Sequence, residues 1–234
     1  ETWSIDPHVE THAYTDLYEN PCLRLTLPVG RSTFRYSAIA EVPDAVEPVD
    51  VNAPALPADQ LPDDVLIYTL PSRYCVPEML AEEAVARFGA SAPGYQQVQQ
   101  VLDYVWEHVQ FQYGSTNSLT TAHDVNVSGL GVCRDFAHPA ISFCRALDIP
   151  ARYVFGYLPE IDMEPIANPM DFAAWIEVWL GDRWWTFDPR NNEQRKGRVL
   201  IGRGRDASDV AMVTAFGMPI LESMTVDARE VTGS

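Results

Sequence analysis

The sequence predicts an α+β protein: a cysteine-bearing helix laid against an antiparallel sheet, with a smaller β-rich region in front. Three observations predict it. Before about residue 70, polar and apolar residues alternate with the period of two that half-exposed strands require. Between residues 77 and 147 the apolar residues recur at helical spacing in three stretches, the last opening on Cys133. After Pro150 the pattern returns to strands, two of them joined by the two-residue loop Gly181-Asp182.

Taken in order, 22–27 and 32–40 read as strands. The stretch from Pro43 to Pro62 carries five prolines, which excludes central strand and helix and marks a wrapping arm. A soft boundary falls there, giving a β-rich region over 1–65 and a main core with C-terminal strands over 66–234. Residues 77–88 open with proline and meet Gly89 just past their end, the expected asymmetry of a helix. From Tyr95 to Val109, Val98, Val101, Leu102, Val105 and Val109 form one core-facing stripe. The polar stretch 114–129 reads as a long ordered loop, of the kind that carries function.

A helix is expected from Cys133 to Leu147, with Ala137, Ala140, Ile141 and Cys144 inward and a stop before Pro150. Pro139 in its second turn is expected to bend the axis. Strands follow at 151–158, 172–180 and 183–187. The tail adds a short strand from Val199 and another near 224–231.

Composition excludes several classes. A net charge of −17 argues against nucleic acid and against anionic membrane surfaces. No apolar run approaches the roughly 20 residues of a membrane span. The start, Glu1-Thr2-Trp3, has no basic or apolar stretch of secretory type. Four scattered cysteines, Cys22, Cys75, Cys133 and Cys144, show neither a zinc spacing nor a disulfide framework, so reduced thiols in the cytoplasm are expected.

The chemistry gathers at two segments. Gly131-Val132-Cys133-Arg134-Asp135-Phe136-Ala137-His138 puts a thiol in the first turn of a helix. Unpaired N–H groups and the helix dipole favour thiolate there and offer an oxyanion site. Gly131 is expected to allow a sharp turn and leave room for substrate. Trp184-Trp185-Thr186-Phe187-Asp188-Pro189-Arg190-Asn191-Asn192 puts a carboxylate at the end of a buried strand. A buried carboxylate needs a hydrogen-bonding partner, and in a thiol enzyme the partner is an imidazole N–H. The blander roles are a structural cysteine and a turn aspartate.

These segments, with Pro150-Ala151-Arg152-Tyr153-Val154 and Gly156-Tyr157, resemble the bacterial transglutaminase-like superfamily, a group of papain-like thiol enzymes that includes predicted cysteine proteases. The likeness runs from about Leu70 to the C-terminus. Asp16-Leu17-Tyr18-Glu19-Asn20 resembles, more weakly, that family's smaller N-terminal β region. The resemblance implies a papain-like core, Cys133 as nucleophile and Asp188 as the orienting acid. The family's histidine lies in a segment of the form Asp-Phe-His-Ala-Trp. Here that segment reads Asp171-Phe172-Ala173-Ala174-Trp175, so the histidine position is Ala173.

No other histidine substitutes. His138 lies five residues beyond Cys133, about 140° around the helix. His123 has nothing to orient it, and His108, His8 and His12 lie elsewhere. Without an imidazole, Cys133 lacks both a proton acceptor and a cationic partner, and the chain is expected to be inactive as written. Whether Ala173 reflects a substituted histidine or a natural pseudoenzyme stays open. In an active parent the substrate is a peptide or protein, and no metal or organic cofactor is implied. Hydrolysis and amine transfer share the acyl-enzyme, and the likeness to proteases favours hydrolysis. The rival reading is a peptide-binding module using Trp175, Trp179, Trp184 and Trp185. Neither oligomeric state nor natural substrate is legible.

Overall fold

The computed structural model describes residues 1–162 and 170–231. Four short strands open the chain, two more than the sequence pattern gives. β1 (Thr2–Asp6) pairs antiparallel with β4 (Thr33–Ser37), and β2 (Thr11–Thr15) with β3 (Pro21–Leu25). Most of their side chains are exposed. The turn at 16–20 is held by the Asp16 carboxylate, which accepts from the Tyr18 and Asn20 N–H groups at 2.8 Å each. Asn20 then docks the hairpin on the core, its Nδ2 donating to Arg203 O at 2.7 Å while its Oδ1 accepts from Arg203 N at 2.8 Å.

The proline-rich stretch forms neither long helix nor ladder, as its composition requires. It wraps the core instead, burying Ala53, Leu61 and Val65. Gly181 N donates to Pro54 O, and Tyr95 N donates to Ala53 O. Gly94 sits at φ +146°, and a Cβ there would lie 2.5 Å from Ala53 O, so only glycine lets the arm pass this close.

α1 (Pro77–Phe88) and α2 (Tyr95–His108) stand where helical spacing places them, with Val98, Val101, Leu102 and Val105 buried. The polar stretch after α2 departs from expectation. β5 (Gln110–Phe111) is a two-residue strand, and α3 (Ala122–Ser128) occupies much of the supposed loop. Thr121 and Asp124 close a capping box at its start, and Gly129 caps its end at φ 66°. The polar residues 114–121 do form a loop, which ends in the Thr121 cap; the expectation fails only over 122–128, where the chain is helical.

β6 (Leu130–Gly131) pairs in parallel with β5 and delivers the chain to α4 (Cys133–Ala146). This helix is the centre of the molecule. Ala137, Ala140, Ile141, Phe143 and Cys144 are all fully buried. Phe143 meets Phe88 and Tyr104 edge-on, a burial that contributes about 1.5–3 kcal/mol. Pro139 lies inside α4 without ending it.

α4 packs on a four-stranded antiparallel sheet of order β10–β7–β8–β9. Its members are β7 (Ala151–Tyr157), β8 (Ala173–Leu180), β9 (Arg183–Phe187) and β10 (Val199–Gly204). Ala174, Ile176, Val178 and Leu180 of β8 join the core under α4. The alternate positions face the other way, where Glu177 accepts from Arg152 Nε at 2.7 Å and Arg203 Nε at 3.0 Å. The tail departs from expectation: 224–231 forms no strand. Its alternation is real, and its cause is described below. Among the described residues no helix is long and apolar enough to cross a membrane.

Candidate active site

Cys133 is the first residue of α4, and its placement is set by Asp135 two residues on. The buried Asp135 carboxylate accepts from Val132 N at 2.9 Å and from Thr116 Oγ1 at 2.6 Å, tying the 114–121 loop to the start of the helix. Gly131 serves this packing, contrary to the expected substrate clearance. A Cβ at 131 would stand 2.5 Å from Asp135 Cβ.

The thiol is half-buried. It donates toward Phe172 O at 3.6 Å, while Arg190 Nη1 donates to Sγ at 3.4 Å. Burial pushes the Cys133 thiol above its ordinary range, the Arg190 charge opposes that, and the Asp171 charge adds to it. The helix start therefore does not by itself make a thiolate. Arg190 is the cationic partner the sequence did not reveal, and Phe111 steadies it with its ring centroid 4.3 Å from the guanidinium carbon. Arg190→Gln should raise the thiol further and slow Cys133 alkylation at pH 8 by roughly three- to tenfold. An unchanged rate, read by mass spectrometry of the labelled peptide, would show that the guanidinium does not act on the sulfur.

A cavity of about 160 Å³ opens beside the sulfur, and Cys133, Tyr153, Asp171 and Ala173 are among its walls. Ala173 opens β8 opposite Gly156 of β7, where the Ala methyl leaves the space a longer side chain would fill. The β8–β9 ladder ends at Ile176 opposite Phe187, and Asp188 follows Phe187 directly, outside the ladder.

Asp188 is buried and fully engaged. Its Oδ1 accepts from Arg190 N at 3.1 Å and Asn191 N at 2.9 Å; its Oδ2 accepts from Asn191 Nδ2 at 2.8 Å and Arg198 Nη2 at 2.9 Å. Arg198 also lies over Trp175 and bonds Glu47 of the proline-rich arm. Cys133 and Asp188 are thus joined through the turn that carries Arg190, with no direct contact between them. Arg198, ten residues past Asp188, has no sequence signal; only the fold back of the chain reveals it.

No histidine reaches the cavity. His138 is a buried residue of α4 itself, stacked on Tyr74, with Nε2 accepting from Ala207 N at 3.3 Å. Burial pushes its pKa down to about 4, so the ring is a neutral packing element. His108 lies 2.6 Å from Asn126 O and stacks on Tyr104, and His123 sits on α3. His8 and His12 are in the N-terminal region. Among the described residues no cluster of His, Cys, Asp or Glu is placed to hold a metal.

Residues 82–189 match the model of the transglutaminase-like superfamily. A crystal structure of a "putative cysteine protease" from Cytophaga hutchinsonii superposes with a TM-score of 0.77 at 30% identity, covering 93% of this chain and 74% of that one. The chain belongs to the transglutaminase-like superfamily. Its α+β core, with the Cys133 helix on an antiparallel sheet, is the architecture that membership implies. This superfamily member is also 35% identical to an uncharacterised protein of Mycobacterium leprae, over 45% of this chain and 39% of that protein. It is 28% identical to an uncharacterised protein of Mycobacterium tuberculosis, strain H37Rv, over 65% of this chain and 51% of that protein. The chain spans about half, or less, of the length of these curated relatives.

Proposed function

We propose that this superfamily member carries the scaffold of a cysteine protease or amidohydrolase acting on peptide or carboxamide bonds, and that Ala173 leaves it inactive as it stands. The observation that supports this most is the shared cavity. Cys133 and Ala173 line one opening, and Asp188 directly follows β9, the strand that pairs with β8. With an imidazole at position 173, the ring would take the Cys133 proton as the sulfur attacks the carbonyl carbon. N–H groups at the start of α4 would hold the oxyanion. The imidazolium would then protonate the leaving amine, giving a thioester that water or an amine resolves. Asp188 would orient the ring by giving up one of its present donors.

A second reading, a peptide-binding pseudoenzyme, is favoured by those same donors. Arg198 and Asn191 saturate the carboxylate, and Arg190 sits on the sulfur, as though the site were settled without a ring. Of the four tryptophans, Trp175 and Trp185 are buried, and Trp179 meets Trp184 edge-on with centroids 5.4 Å apart. These contacts assign them to packing more than to a groove. The four cysteines are unpaired, which fits the proposed cytoplasmic compartment.

The deciding experiment offers an Ala173→His variant a peptide library with a primary amine present. Free acid, lost on Cys133→Ser, is the expected product by mass spectrometry. A cross-linked amide would reassign the site to amine transfer, and peptide bound but uncleaved would favour the pseudoenzyme.

A further inference from the structure

Beside the Cys133 cavity lies a second opening of about 310 Å³, walled by Tyr113, Met170, Asp171, Met224 and Val226. Asp171 lines both, so the two are adjacent. A separate route leads to the same place: Tyr113 packs on Phe111, Phe111 carries Arg190, and Arg190 touches the Cys133 sulfur. The tail thus runs past the mouth of the site.

Its burial and contacts are those of a segment laid against the protein. Val226 and Ala228 are half-buried, while Thr225, Asp227 and Arg229 between and after them are exposed. Met224 and Val226 wall the opening, and Ala228 N donates to Met170 Sδ at 3.0 Å. Val226 and Ala228, two residues apart, thus face the protein, while Met224 borders the opening and stays 55% exposed. No sheet pairing produces this alternation, because the segment belongs to no ladder. The groove itself supplies the reason for it.

We propose that Tyr113, Met170 and Asp171 form a track leading into the Cys133 cavity, that the track takes extended peptides with apolar residues at alternate positions, and that Met224–Ala228 occupies it in cis. The proposal deepens the reading of Cys133 as a peptide-facing thiol and rests on it. The track sets the class of peptide. The tail competes with any peptide supplied in trans, because both need the same apolar wall.

The test needs no turnover, so its failure is distinct from failure of the catalytic reading. The full chain and its double variant Met224→Asp/Val226→Asp are exposed to biotin-maleimide, and labelling of Cys133 is timed by mass spectrometry. Cys22, outside the site, is the internal control. Charge on the inward positions should free the track and speed Cys133 labelling by on the order of tenfold, with Cys22 unchanged. A Thr225→Asp variant, altered on the outward side, should label like the native chain. A synthetic peptide of the sequence 222–230, added to the double variant, should restore protection, and the same peptide bearing both aspartates should not. Equal labelling of native chain and double variant would overturn the proposal. So would equal exposure in Thr225→Asp, or equal protection by the two peptides.

Discussion

Replacing Ala173 by histidine is expected to raise amide turnover by about four to six orders of magnitude over the native chain, the usual span between an intact nucleophile–base unit and one missing a member. The sulfur already stands at a helix start and opens on the cavity that Ala173 lines. Two features set where in that range the gain falls. Asp188 must release Arg198 or Asn191 before it can hold the new ring. Arg190 must yield part of the sulfur to an imidazolium, which replaces one cation with another. The gain should vanish in an Ala173→His/Cys133→Ser chain. A gain that survives loss of the thiol would place the chemistry elsewhere.

Arg145→Met is expected to cost about 3–5 kcal/mol of stability, the largest structural effect of a single substitution we anticipate. Arg145 is 2% exposed near the end of α4. It donates to Ala151 O at 3.1 Å and 2.8 Å, to Leu70 O at 3.0 Å and to Arg205 O at 2.6 Å. One side chain thus holds three separate chain segments against the helix. Methionine fills similar space but leaves those carbonyls without donors in a buried site. The measurement is the urea unfolding midpoint. For contrast, Arg87→Met removes a largely exposed i,i+4 pair with Glu83 and a contact with the Tyr104 ring, and should cost about 1 kcal/mol or less. A loss of similar size for both would mean that water reaches the Arg145 carbonyls.

Helical and strand periods carried most of the core architecture. α1, α2, α4 and the β8–β9 hairpin lie within a residue or two of where spacing, Pro77 and Gly181 place them. What periodicity missed has a common physical cause. α3 is too short to show a helical stripe, and its capping threonine looks like loop chemistry until the Asp124 backbone is seen to bond it. The tail has strand alternation because a groove imposes it, and a single sequence does not distinguish a groove from a neighbouring strand. β1 and β2 are so exposed that their side chains carry little burial pattern.

The site divided along the same line. Cys133, Asp188 and the Ala173 position stand out in local segments, because each is flanked by residues that fix its backbone. Arg190 was in view but gained its role only when the turn after Asp188 brought it to the sulfur. Asp135 and Arg198 act across 19 and 10 residues of chain, to Thr116 and Asp188 respectively, and such closures follow from tertiary packing alone. The thiol's own tendency depended on burial, which outweighs the helix start and could not be read from spacing.

The most direct measurement of the missing-base account is the rate of Cys133 alkylation against pH, in the native chain and in Ala173→His. Burial should hold the native thiol unreactive until the pH passes the ordinary thiol range near about 8.5, giving a single late rise. The histidine variant should show reactivity appearing at lower pH, where an imidazolium stabilises the thiolate. Superimposable profiles would contradict the account, because they would mean that an imidazole at position 173 never meets the sulfur.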